Sequence, residues 1–167
     1  MPRRGDRFKF WGALAILVAA QFLVRPRLGD PRWTPDFLLI AVLFLALRTR
    51  PAAGAVAGFI VGLMTDAVAP TAFGAAALAT TLVGFGAGWV KALFVADNLL
   101  VNVLFVFCAS WLRDIIQVLA SNQLKGGALL WQLLGWSPLA ALSTAAAAVI
   151  IRLLFRGWLD PRANYLR

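Results

Sequence analysis

Apolar runs without a charged residue alternate along the chain with short charged segments. Six of these runs occupy residues 10–24, 37–47, 51–65, 67–90, 98–112 and 126–151. A helix needs about 20 residues to cross a hydrocarbon core of about 30 Å, and the shorter runs reach that length only if flanking arginines extend to the lipid head groups. The pattern predicts six membrane-spanning helices, at about 9–25, 35–49, 51–66, 72–91, 97–120 and 137–155.

The composition also indicates a membrane protein. Of 167 residues, 62% are hydrophobic, whereas soluble domains average about 45–50% apolar residues. Residues 1–167 are therefore predicted to form a single polytopic, all-α membrane domain, a bundle of six transmembrane helices with short loops. Ser137 and Pro138 have the pattern of an N-cap followed by proline at the first helical position. We expect the sixth span to begin there, which leaves residues 126–136 as an interfacial or re-entrant segment.

Basic residues are distributed unevenly between the predicted loops. The chain carries 16 Lys and Arg residues against 7 acidic residues, a net charge of +9. With six spans and the N-terminus inside, eleven basic residues fall in cytoplasmic segments and four in outer segments. This asymmetry follows the positive-inside rule and predicts both termini in the cytoplasm. The excess of positive charge is therefore interpreted as a topology signal, and we expect no binding of nucleic acid.

Glycines recur at every fourth position of the third predicted helix, at Gly54, Gly58 and Gly62, and the fourth helix repeats the spacing at Gly84 and Gly88. Residues four apart share one helix face. Small residues let two backbones approach closely where lipid supplies no hydrophobic drive between helices. These glycines are predicted to form a packing face, either inside the chain or against a partner protein.

Two aspartates flank apolar runs. An ionisable group near hydrocarbon is costly, so it usually faces protein, water or a partner charge. Asp66 either ends the third helix at the interface or lines an outward-facing pocket or partner contact. Asp36 follows Pro35 and is interpreted as a first-turn carboxylate that the helix dipole favours, with a pocket or partner contact as the alternative.

The fifth predicted helix carries a set of polar side chains near its end, at Ser110, Arg113, Asp114, Gln117 and Ser121. Four of them recur at helical spacing on one face, with Arg113 beside them. Either the helix reaches the outer surface at this point, or these residues line a polar pocket or a partner contact.

The sequence lacks most of the residue types on which enzyme catalysis usually depends. The chain contains no histidine and no glutamate, and its acidic residues are scattered aspartates. Nucleophile activation by histidine and a His-rich metal site are therefore excluded, and no phosphate-binding loop motif occurs. We expect no enzyme activity, no metal and no cofactor.

Two stretches resemble the rod shape-determining protein MreD family: "PDFLLIAVLFLALR" (35–48) and "GAVAGFIVGLMTDAVAPTAFGAAALATTLVGFGAGW" (54–89). The matching features are the Pro-Asp that opens span two, the Gly-Phe-x-x-Gly-Leu-x-x-Asp run from Gly58 to Asp66, Phe73-Gly74, and the Leu-Val-Gly that ends at Gly84. The resemblance implies a non-catalytic component of the bacterial elongation machinery in the inner (cytoplasmic) membrane.

The same resemblance implies the partners. They are MreC, the MreB filament, and the elongation-specific glycan polymerase and transpeptidase, besides membrane lipid and a possible second copy of the chain. It also implies a fold similar to the substrate-binding subunits of energy-coupling-factor vitamin transporters. Such a subunit is the alternative function.

Overall fold

The chain is helical through most of its described length. The structure is a computed structural model and describes residues 4–30, 34–68, 72–90, 99–122 and 126–155. In chain order the helices are α1 (Arg4–Leu23), α2 (Phe37–Arg48), α3 (Pro51–Val68), α4 (Ala75–Val90), α5 (Leu99–Ser121), α6 (Gly127–Trp131) and α7 (Ser137–Leu154). A 3₁₀ turn, Arg25–Arg27, follows α1. The predicted helix ends at residues 91 and 97 lie outside the described residues.

Within the described residues, four helical stretches are long and apolar enough to cross a membrane: Phe8–Arg27, Pro51–Val68, Leu99–Ser121 and Gly127–Leu154. The helices α2 and α4 are apolar but shorter, with 12 and 16 residues. At 1.5 Å per residue α2 is about 18 Å long, against a hydrocarbon core of about 30 Å. A count of six spans therefore requires the chain beyond the ends of α2 and α4 to complete their crossings.

The shortest of the apolar helices, α2, occupies the centre of the bundle. It contacts α1, α3, α4, α5 and α7. Its sequence is apolar on every side, which is the pattern of a helix buried all round. Seven of its residues are buried: Leu38, Leu39, Ile40, Ala41, Val42, Leu43 and Ala46. The outer helices therefore pack around α2.

The five glycines of the predicted packing face lie in the contact between α3 and α4, the most extensive helix contact in the fold. A Cβ built on Gly54 would overlap the Gly84 carbonyl oxygen, and one on Gly62 would overlap Ala77. One on Gly88 would lie 2.6 Å from the Pro51 Cα. Backbone meets backbone along this face, so no side chain fits at these positions.

A hydroxyl reinforces the same contact. The Thr80 Oγ1 lies 2.6 Å from the Gly58 carbonyl oxygen across the two helices and is buried. A hydrogen bond of this kind holds transmembrane helices together in register. The face is therefore fixed both by shape and by a polar contact.

The N-cap expected at Ser137 is wrong, although α7 begins at that residue as expected. Ser137 has helical dihedral angles, and a π-helical segment, Gln132–Trp136, joins α7 to α6, so that helix continues from Gly127 to Leu154. Proline lacks an N–H and clashes with the carbonyl four residues earlier. The wider π turn directly before Pro138 accommodates that defect, and the Trp111 indole N–H donates to the Leu133 carbonyl inside it, at 3.1 Å.

We predict that Gly58→Ala lowers the stability of the folded protein by about 1–3 kcal/mol, the usual cost of overpacking. The added methyl group would overlap the Thr80 carbonyl oxygen, which is backbone and cannot move aside alone. The midpoint of unfolding in mixed detergent micelles measures the effect, and Gly58→Leu should enlarge it.

Gly86→Ala is the matched control. Gly86 lies in α4, but a Cβ there meets no atom within 4 Å. Alanine is the better helix former by about 1 kcal/mol, so this variant should be as stable as the parent or more stable. Equal midpoints for Gly58→Ala and Gly86→Ala would contradict close packing at the α3–α4 face.

Candidate functional site

A cavity of about 750 Å³ lies at one end of the helix bundle. Its wall is formed by the C-terminal ends of α1, α3 and α5 and by the first turns of α2, α4 and α7. Because successive helices bring alternate ends to this place, residues far apart in the sequence meet there. The wall includes all seven polar residues that the sequence analysis selected, Asp36, Asp66, Ser110, Arg113, Asp114, Gln117 and Ser121.

Asp36 begins the central helix. It is the N-cap of α2, one residue before the first turn, and its Oδ1 accepts from the Leu39 N–H at 3.0 Å. Its Oδ2 lies 2.8 Å from Arg113 Nη1. An N-cap oxygen satisfies one of the donors that every helix leaves free at its start. Asp36 thus serves α2 with one oxygen and the ion pair with the other.

Arg113 is the counter-charge, and it is buried with 7% of its surface exposed. Its Nη1 contacts Asp36 and also lies 3.4 Å from Asp114 Oδ1. A buried charge without a partner is strongly destabilising, which explains why the acid that caps α2 and the arginine of α5 face each other. The Arg113 Nε is buried and has no partner among the described residues.

The polar face of α5 forms one side of the cavity. Ser110, Asp114, Gln117 and Ser121 all line it, together with Arg113. Ser110 is buried, while Asp114 and Gln117 are half-buried. The helical spacing that predicted a common face therefore corresponds to one wall of the cavity.

Asp66 is engaged by the helix that follows it. The residue is 3% exposed at the end of α3. Its Oδ2 accepts from the N–H groups of Gly74 and Ala77 at 3.0 and 2.9 Å, and its Oδ1 accepts from the Ala76 N–H at 3.1 Å. Gly74 has a φ of +95°, a conformation that side chains rarely adopt. Asp66 therefore caps α4 from outside, and it also lines the cavity.

Two further residues of the site were missed in the sequence. Gln21 Oε1 accepts from the Phe37 N–H at 3.1 Å, and Thr144 Oγ1 accepts from the Asp36 N–H at 3.2 Å. Both side chains are buried. The sequence did contain a signal for both: Gln21 is an isolated amide in the first apolar run, and Thr144 lies among the alanines of α7. An isolated polar residue in such a run needs a hydrogen-bond partner.

In this arrangement the ion pair neutralises buried charge, and polar side chains accept from the first backbone N–H groups of α2 and α4. In the part of the chain that the structure describes, no group of three or more His, Cys, Asp or Glu side chains is able to hold a metal ion. What the cavity wall offers is a set of hydrogen-bonding groups and one buried ion pair beside apolar side chains. Its chemistry is that of holding helices in place and binding polar groups.

We predict that Asp36→Asn destabilises the protein by about 3 kcal/mol or more, because Arg113 then lacks its nearest counter-charge in a buried place. Arg113→Gln should cost a similar amount. The double variant should cost much less than the sum, since each change removes the group that the other leaves unpaired. Unfolding midpoints of the four proteins in mixed micelles give the coupling energy.

Arg50→Gln is the control for this cycle. Arg50 is exposed, and surface substitutions usually change stability by about 0.5 kcal/mol or less. Additive effects of the two single changes at Asp36 and Arg113 would show that the ion pair does not stabilise the bundle.

Comparison with known proteins identifies the family. The family model for the rod shape-determining protein MreD matches residues 7–157 of the 167-residue chain. No curated protein and no solved structure matches it. The expected likeness to vitamin-transporter subunits therefore has no support among solved structures. The matched range contains α2 to α7, the cavity wall and the α3–α4 face, and it covers nearly the whole chain. The protein therefore belongs to the MreD family of rod shape-determining membrane proteins.

Proposed function

We propose that this protein is a non-catalytic membrane component of the bacterial elongation machinery that links MreC and the wall synthases to the cytoskeleton. The observation that carries the proposal is the family match over residues 7–157. The family is part of the MreBCD shape machinery and is not a known enzyme family. MreC and MreB are therefore the first partners to test, followed by the elongation-specific glycan polymerase and transpeptidase.

The fold supports a role in binding helices of other membrane proteins. The glycine face is already filled by the contact between α3 and α4. The opposite faces of these helices carry large exposed apolar side chains, at Val56, Phe59, Ile60, Leu78, Leu82 and Phe85. These faces meet lipid in the isolated chain and are available to the membrane helix of MreC or to a second copy.

The proposed location is the inner membrane, with six spans and both termini in the cytoplasm. The support is the excess of basic residues in the segments assigned to the inside. In this orientation the cavity opens toward the outer face, because the C-terminal end of α1 lines it.

We predict that alkaline phosphatase fused after Arg167 is inactive in cells, because this enzyme requires export and the proposed topology keeps that end inside. A fusion in the loop after Arg27 should be active. Strong phosphatase activity of the fusion at Arg167, with the protein present at a normal level, would overturn the proposed topology.

We predict that depletion of this protein in its rod-shaped host makes cells round or swell before growth stops, because wall synthesis loses its connection to the filament. Cell width is measured by microscopy during depletion. Re-expression of the Gly86→Ala variant should restore rods, whereas Gly58→Leu should restore them poorly.

Purification from native membranes distinguishes the two functions that the sequence allows. The scaffold role requires that MreC co-purify, whereas the vitamin-transport alternative requires a coupling ATPase. Normal cell width after full depletion, in a host without a second copy of the gene, would rule out the proposed role.

A further inference from the structure

We propose that the cavity at the ends of α1, α3 and α5 binds an amphiphile through an oxyanion head group, a phosphate or a carboxylate. Two buried polar atoms on its wall have no partner among the described residues, Arg113 Nε and Ser137 Oγ. Arg113 is 7% exposed and Ser137 is 1% exposed. Buried polar atoms are almost always hydrogen-bonded in folded proteins, so each of these atoms lacks the partner that it requires, and the residues that carry them line the cavity.

The missing partner is an acceptor. Both oxygens of Asp36 are occupied, one by Leu39 N–H and one by Arg113, and both oxygens of Asp66 accept from α4. The Arg113 guanidinium uses Nη1 for its two aspartate contacts, which leaves its Nε edge unused. Asp36 and Asp66 are thus engaged, and Asp114 has one contact with Arg113 Nη1, at 3.4 Å, so the Nε edge of Arg113 is directed to a ligand.

Ser137 lacks the intrahelical partner that a helical serine commonly has, the carbonyl four residues earlier. That carbonyl belongs to Leu133 in the π-helical segment and accepts from the Trp111 indole N–H at 3.1 Å. The Ser137 hydroxyl makes no hydrogen bond within the described residues, so it is a second donor without a partner in a residue that lines the cavity.

The chemistry of the donors points to an oxyanion. The side edge of a guanidinium matches the spacing of two oxygens of a carboxylate or phosphate, and such paired bonds are among the strongest in proteins. Arg25, which follows α1, also lines the cavity and is half-buried. Two guanidinium groups and a hydroxyl thus line one space, together with three carboxylates, of which those of Asp36 and Asp66 are already engaged by the protein.

The rest of the wall accommodates a hydrocarbon chain. Apolar side chains of four helices line the cavity, among them Phe22, Leu38, Met64, Val68 and Val118. A volume of about 750 Å³ lies within the range of sites that bury small ligands. A polar group next to an apolar wall is the arrangement that an amphiphile with one charged end fills. Binding there does not depend on the proposed role in elongation.

The experiment uses the full chain purified in a non-ionic detergent and freed of native lipid. Saturable binding of radiolabelled dodecyl phosphate is measured, with inorganic phosphate and dodecanol as competitors. Dodecyl phosphate should bind and should be displaced poorly by either competitor, because one lacks the chain and the other lacks the oxyanion. This comparison separates a lipid source of the head group from free phosphate.

Two variants locate the site. Arg113→Lys keeps the charge beside Asp36 but loses the paired donors, and it should weaken binding of dodecyl phosphate about tenfold or more. Ser137→Ala removes one donor without adding volume and should weaken it about fivefold. The matched controls are Arg152→Lys and Ser143→Ala in α7, neither of which lines the cavity, and both should bind as the parent does.

The proposal is overturned if binding is not saturable, which would mean that dodecyl phosphate only partitions into the detergent. It is also overturned if dodecanol competes as well as unlabelled dodecyl phosphate, or if inorganic phosphate does so. Unchanged affinity in Ser137→Ala, a variant expected to fold, together with unchanged affinity in Arg113→Lys would place any binding elsewhere on the protein.

Discussion

The architecture depends on one constraint, which is that two helices begin inside the bundle and their first N–H groups must be satisfied there. The side chains of Asp36, Gln21 and Thr144 accept hydrogen bonds from three backbone N–H groups at the start of α2. The side chain of Asp66 does the same at the start of α4. An unsatisfied backbone donor in a membrane costs several kcal/mol. The aspartates are therefore first of all parts of the fold, and Arg113 is required because a buried carboxylate requires a counter-charge.

The second requirement is a way to bring helices close together without a hydrophobic drive between them. The α3–α4 face solves it with glycines at four-residue spacing, so that dispersion contacts form between backbones. The tight pair then presents the end of α3 and the start of α4 side by side, where the carboxylate of Asp66 accepts from three backbone N–H groups, those of Gly74, Ala76 and Ala77. The close packing of α3 against α4 thus sets the geometry of the cap that Asp66 forms on α4.

The sequence predicted features that depend on local periodicity. The spacing of Gly54, Gly58 and Gly62 indicated a common face, and the spacing along α5 grouped the side chains that line the cavity. It did not pair Asp36 with Arg113, because that contact depends on how distant helices cross. The N-cap proposed at Ser137 was wrong because serine before proline has the N-cap pattern whether or not a helical segment precedes it, and only the π turn shows that one does. Gln21 and Thr144 were missed for the same tertiary reason.

The cap of α2 has a consequence for biosynthesis. Thr144, which binds the Asp36 backbone, is 108 residues further along the chain, and Arg113 is also made after α3 and α4. At about 5–20 residues per second, the ribosome completes Thr144 roughly 5–20 s after Asp36. Asp36 lacks its counter-charge until Arg113 is made, 77 residues after it (113 − 36), and lacks its backbone partner until Thr144 is made. The cap of the central helix is therefore complete only after α7 has been synthesised.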